Sequence, residues 1–136
     1  AARVYLILSP GPFNIKPRSI SYVWASTVKK DSVWDNPFSN NVKMLAVRSG
    51  QSGIGQWNSE KRNIKQDLNA IFGEKNLAVL GIAIMTDTDN SNTSALAYYS
   101  GIYFSEEIRS IPGDVSSQDP IDQDPLVSSK WALVQC

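Results

Sequence analysis

The chain has 136 residues, 42% of them hydrophobic and only 19% charged, with thirteen basic residues balancing thirteen acidic ones. That is one domain's worth of sequence with enough apolar material for a core, and without the basic surplus of a nucleic-acid binder or a polybasic membrane-surface protein. Histidine is absent and the single cysteine is Cys136, which excludes Ser-His-Asp and Cys-His catalysis, an internal disulfide and a Cys/His zinc site.

Taken in chain order, residues 3–8 (Arg3-Val4-Tyr5-Leu6-Ile7-Leu8) read as a β-strand stopped by Ser9-Pro10-Gly11-Pro12. Ile20 to Trp24 reads as a second strand, with Ile20, Tyr22 and Trp24 on one face and Ser21 and Val23 on the other. Residues 43–48 make a third. Residues 61–72 read as one short helix, because Ile64, Leu68, Ile71 and Phe72 share a face and Gly73 stands where a left-handed glycine ends a helix. Leu77 to Thr86 is nearly all apolar and reads as a fourth strand, buried on both faces or central. Ala95 to Phe104 is a fifth, with Gly101 as a bulge. No apolar run is long enough for a transmembrane helix.

Charge is uneven along the chain. Residues 1–104 hold eleven Lys/Arg and seven Asp/Glu, whereas residues 105–136 hold two and six. The change of charge coincides with prolines at 112, 120 and 125. This predicts a domain over residues 1–106 and an acidic, proline-containing tail over 107–136, with Trp131 to Val134 as a short terminal strand. Few strands and many turns predict a mainly β fold, an antiparallel β-sandwich of jelly-roll type with one helix, lacking strands on its N-terminal side.

Three groups of residues are candidates for function. The Thr86–Ser94 loop carries Asp87, Asp89 and Ser91 at the alternating spacing of a calcium loop, but Asn92 replaces the loop glycine and Tyr98 the bidentate Glu. An ordinary loop with Asx and Ser/Thr side chains bonding their own backbone explains the same residues. Ca²⁺ on Asp87, Asp89 and Ser91 is thus the one cofactor suggested. The second group is aromatic: Tyr22, Trp24, Trp34, Trp57, Tyr98, Tyr99 and Tyr103. Trp24 and Tyr99 suit the core, whereas Trp34, read as a loop residue, suits a platform for a sugar ring. The third group precedes the helix, with Asn58 or Ser59 as its cap and Glu60, Lys61 and Arg62 in its first turn. Cations there oppose the helix dipole and call for a carboxylate, for which Asp87 or Asp89 is the expected partner. With Arg48, Arg62 would clamp an acidic ligand.

The runs Val42 to Gly50, Gly55-Gln56-Trp57, Glu60 to Asn63, Asp67, Phe72-Gly73, Ala83 to Asn90 and Ala97-Tyr98-Tyr99, with Ala2 to Tyr5 and Tyr22 to Ala25, resemble an uncharacterised bacterial family, domain of unknown function 3047, over residues 1–104. The resemblance implies an exported, periplasmic or envelope-associated protein with a jelly-roll-like sandwich, and no established activity. The residues favour a non-catalytic module that binds carbohydrate or another small polar ligand through Trp34, Trp57, Arg48, Arg62, Asp87, Asp89, Asn90 and Tyr98. A structural or assembly domain with an internal Asp/Arg network ranks second. A polysaccharide hydrolase using Asp87 and Asp89 ranks third. No catalytic residue is assigned, and nucleic acid is not an expected partner.

Overall fold

The computed structural model describes residues 1–10, 17–73, 78–88, 94–108 and 123–135, with side chains up to residue 104. The chain is mainly β. In order it forms β1 (Ala2–Leu8), β2 (Arg18–Ala25), β3 (Val33–Asn36), β4 (Ser39–Ser49), β5 (Asn58–Asn63), α1 (Ile64–Phe72), β6 (Val79–Thr86), β7 (Leu96–Ile108) and β8 (Gln123–Gln135).

Two sheets result. The larger has the order β3-β4-β2-β1-β6, the smaller β5-β8-β7. The larger sheet is not wholly antiparallel as expected from the sequence, because β2 and β4 run parallel. The cause is local. After β2 the chain crosses to the sheet edge, makes β3, and turns back through Asn36-Pro37-Phe38-Ser39 so that β4 inserts between β3 and β2. The Asn36 Oδ1 accepts the Phe38 N–H at 2.8 Å, closing an Asx-type turn. Trp34 accordingly lies in an edge strand and not in a loop.

Period-two alternation decides what each sheet buries. On the inner face Val4, Leu6 and Leu8 of β1, Ile20, Tyr22 and Trp24 of β2, and Leu45 and Val47 of β4 form one core with Ile64 and Leu68 of α1. Ala97, Tyr99 and Ile102 of β7 pack against it. Thus both α1 and the smaller sheet contact the inner side of the larger one. On the outer face Val23, Ala25, Met44 and Ala46 make a second cluster, with Trp34 and Val42 against it. The two central strands β2 and β4 are therefore buried on both sides.

The sixth strand departs from expectation. Its apolar run suggested a buried or central strand, yet β6 is the edge beyond β1 and most of it is exposed. Ile82 and Ile84 stand opposite Leu6 and Val4, on the core side of the sheet, but are 36% and 54% exposed, and Leu80 is 63% exposed. Apolar character along a strand reports that a surface favours covering, and among the described residues nothing covers this one fully.

The helix begins later than its apolar spacing suggests. Asn63 is its N-cap, its side chain accepting the Gln66 N–H at 3.1 Å, so Glu60, Lys61 and Arg62 belong to β5. Neither Asn58 nor Ser59 caps it, and the first-turn cation is Lys65, not Lys61 or Arg62, with Asp67 as the first-turn carboxylate. Gly73 closes the helix in the left-handed region at φ 69°, its N–H donating to the Asn69 carbonyl at 3.0 Å, as the sequence predicts. The Gly101 bulge is present too: φ is 59° and the β7–β8 register shifts between Ser100 and Tyr103. The chain after residue 106 contributes β8, the central strand of the smaller sheet.

Asn63→Ala removes one cap bond and should lower unfolding stability by about 1 kcal/mol in urea melts. The Ser21 hydroxyl is buried with no hydrogen-bond partner among the described residues. Ser21→Ala should therefore leave stability unchanged or raise it by about 1 kcal/mol in the same assay, because it deletes an unsatisfied polar group.

Candidate functional site

The charged residues singled out from the sequence do not gather in one place. Arg48, at the end of β4, pairs with Glu60 of β5 and lies 5.5 Å from the Trp24 ring centroid. Arg62 of β5 pairs with Asp67 of α1, its Nη2 2.7 Å from Oδ1 and its Nε 3.1 Å from Oδ2. A longer contact of 3.4 Å joins Arg62 to Asp31. Asp87 pairs with Arg3, 2.9 Å from its Nη2, and its backbone exchanges hydrogen bonds with that of Ala1. The carboxylate that balances Arg62 is therefore Asp67, not Asp87. Asp89, Asn90 and Ser91 lie outside the described residues; of the calcium spacing the structure describes Asp87, which pairs with Arg3. Among the described residues no group of three or more Asp, Glu, His or Cys side chains is placed to hold a metal ion.

The Arg62–Asp67 pair continues inward. The Tyr22 hydroxyl donates to Asp67 Oδ2 at 2.8 Å, and Tyr22 and Asp67 are 2% and 6% exposed. One carboxylate thus ties β2, β5 and α1 together. Burial, and then the negative charge of Asp67, push the Tyr22 phenol well above its ordinary range. The bond to Asp67 also holds the Arg62 guanidinium more firmly protonated than a free arginine. In the sequence Asp67 stands out only among the residues of the family resemblance, with no role as a partner of Arg62. Its position three residues after Ile64, within the apolar stripe of the helix, is the signal: a carboxylate there needs a buried cation and a donor.

Two concavities flank this framework. One, about 390 Å³, lies between the β3 edge and α1 and includes Asp31, Trp34, Lys43, Arg62 and Asp67. Its charges are already paired, Lys43 with Asp35 and Arg62 with Asp67 and Asp31. The other, about 520 Å³, runs across the outer face of the larger sheet. Its floor is Val23, Ala25 and Met44, its walls are Val28, Trp34 and the hairpin tip Pro37-Phe38, and its far end holds Arg3, Asp87 and Thr88. Phe38 is 91% exposed at the rim. From β3 to β6 the groove spans four inter-strand spacings, about 19 Å of backbone.

Of the residues predicted from sequence, the groove unites Trp34 and Asp87. Trp57 and Tyr98 are half-exposed elsewhere, just before β5 and on β7. Arg48 and Arg62 face the interior between the two sheets. The residues missed were Arg3, Val28, Phe38, Met44 and Thr88. Only Phe38 had a local signal, a bulky ring at a proline turn where nothing can bury it.

The architecture is that of a mainly β protein built on a mixed five-stranded sheet. The chain belongs to the family described as "Protein of unknown function (DUF3047)", whose model matches residues 3–103. No curated protein and no solved structure matched it. No helix among the described residues is long and apolar enough to cross a membrane.

Asp67→Asn keeps the shape but removes the charge that balances Arg62, and should cost about 2–4 kcal/mol in urea melts. The raised Tyr22 pKa means that the folded state holds its phenolic proton to higher pH than the unfolded chain. Its contribution to stability is complete below the ordinary phenol pKa of about 10 and is lost as pH rises through the folded value. Unfolding melts from pH 8 to 11 should show stability falling above about pH 10, and Tyr22→Phe should flatten that fall.

Proposed function

We propose that the protein is a non-catalytic binding module whose ligand, a sugar or another small polar molecule with an apolar face, lies in the outer groove. The observation that carries this reading is the arrangement of the groove itself. Two aromatic rings, Trp34 and Phe38, stand at one end over an apolar floor, and an Arg3–Asp87 pair stands at the other. A pyranose ring presents C–H groups on its faces and hydroxyls at its edge. Aromatic faces take the former, and a guanidinium beside a carboxylate offers donors and acceptors to the latter. Ligand sites commonly combine an apolar lining with a few placed polar groups in this way.

The finer description of the fold supports the same reading. The inner core is shared between the larger sheet and the β7 residues Ala97, Tyr99 and Ile102, which favours a β-sandwich of jelly-roll type whose outer face is left for binding. A second reading, a structural or assembly domain, is favoured by the internal Tyr22–Asp67–Arg62 network and by the uncovered apolar residues of β6.

Affinity electrophoresis and titration calorimetry against a panel of oligosaccharides test the proposal. Binding should be lost in Trp34→Ala and weakened in Phe38→Ala and Asp87→Asn, with folding of Phe38→Ala unchanged because its ring is exposed. Binding that survives both Trp34→Ala and Phe38→Ala, or no binding to any sugar in the panel, would leave the structural reading standing in its place.

A further inference from the structure

The smaller sheet has a second face, turned away from the core, and register alone lays out its residues. Tyr99 and Ile102 of β7 pack inward, while Tyr98, Ser100 and Tyr103 are exposed. On β5, Glu60 and Arg62 reach inward to Arg48 and Asp67, while Ser59 and Lys61 are exposed. Across the strands Ser59 stands opposite Lys130 and Lys130 opposite Ser100; Lys61 stands opposite Ser128 and Ser128 opposite Tyr103. One row further, Tyr98 stands opposite Ala132. Asn58 pairs with Trp131, which sets Trp57 beside Ala132 on its other side. Trp57, Tyr98 and Tyr103 are 55%, 50% and 57% exposed.

We propose that this outward face is a docking platform for an extended anionic polysaccharide, a polyuronate being the simplest case. Three aromatic rings stand on it well apart, with Trp57 and Tyr98 two strand spacings or about 10 Å from each other, and Tyr98 and Tyr103 about 13 Å apart along the strand. Serines occupy the places between them. Separated rings with hydroxyls between them match a chain of sugar rings, which offers a stacking face and then an edge of hydroxyls. Charge selects the class of polysaccharide. Within these three rows the charged residues are Lys61 and Lys130, and no carboxylate accompanies them, because β5 turns Glu60 inward and Asp124 and Glu107 pair two rows beyond. A single-stranded nucleic acid also stacks and is anionic. It favours neighbouring rings for successive bases and a longer basic track for its phosphates, and neither is present in these rows. The platform belongs to the other sheet from the groove, and neither site depends on the other.

Native electrophoresis of the full chain in gels containing polygalacturonate, or the neutral polymer hydroxyethylcellulose, tests this, alongside a mobility-shift assay with oligothymidylate. The expected result is retardation by polygalacturonate alone, diminishing as salt is raised. Trp57→Ala and Tyr98→Ala should each abolish it, as should Lys61→Glu, while Lys29→Ala, which removes a lysine elsewhere on the surface, leaves it intact. All four side chains are exposed, and circular dichroism should be the same for every variant. Free migration of the wild type in polygalacturonate overturns the proposal. So does retardation that survives both aromatic substitutions, and so does binding of oligothymidylate with the same sensitivity to Trp57 and Tyr98, which would give the face to nucleic acid.

Discussion

A single buried carboxylate holds the layers of this protein together. Asp67 accepts from Tyr22 on one side and Arg62 on the other, so the central strand of the larger sheet, the helix and an edge strand of the smaller sheet all converge on it. Hydrophobic contact supplies most of the attraction between these layers but little orientation, since apolar surfaces slide. A charged pair with a phenol donor has one satisfactory geometry and a high cost for any other. Arg48–Glu60 does the same at the next position inward along β5, and the Tyr99 hydroxyl, 2.8 Å from the Met85 carbonyl, does it where β7 meets β6. The groove on the outer face depends on these pins indirectly, because its floor is the reverse side of the strands they fix.

How much of this is legible in the sequence depends on where a residue finds its partner. Strands β1, β2, β4 and β7 are visible because one or both faces are apolar and the alternation shows. The inward set Ile20, Tyr22 and Trp24 and the outward set Ser21 and Val23 fall as the pleat requires. The helix is visible through Ile64, Leu68, Ile71 and Phe72, and its end through Gly73. By contrast β5 is invisible, since its inward residues are Glu60 and Arg62, whose burial is satisfied by charges from β4 and α1 that lie far away or out of pattern. The β3 strand is hidden by its Asn36-Pro37 turn, which reads as loop on both sides. Of the candidate site, Trp34 and Asp87 were recognisable by residue type. Arg3 was not, for it looks like an ordinary strand residue until the strand order brings β6 alongside β1.

The two proposed binding surfaces use the same elementary property of a sheet, that successive side chains go to opposite sides. In the larger sheet the outer side collects apolar residues and is walled by the β3–β4 hairpin into a groove, suited to something small. In the smaller sheet the register places serines, lysines and separated rings on the outer side, and no hairpin among the described residues walls it, which suits something long. Both leave the interior pairs undisturbed, so ligand recognition and the integrity of the fold rest on different residues.

The place of β8 has a consequence for how the chain is made. It is the last described strand in sequence and the central one of the smaller sheet, and β5 and β7 pair with it and not with each other. During synthesis the larger sheet and the helix can assemble as soon as β6 leaves the ribosome. Strands β5 and β7 then wait, with open backbone edges, until residues 123–135 emerge between them. The polar inward residues of β5 suit that interval, since Glu60 and Arg62 are already engaged by Arg48 and Asp67 and can hold their strand near its final position before its sheet exists.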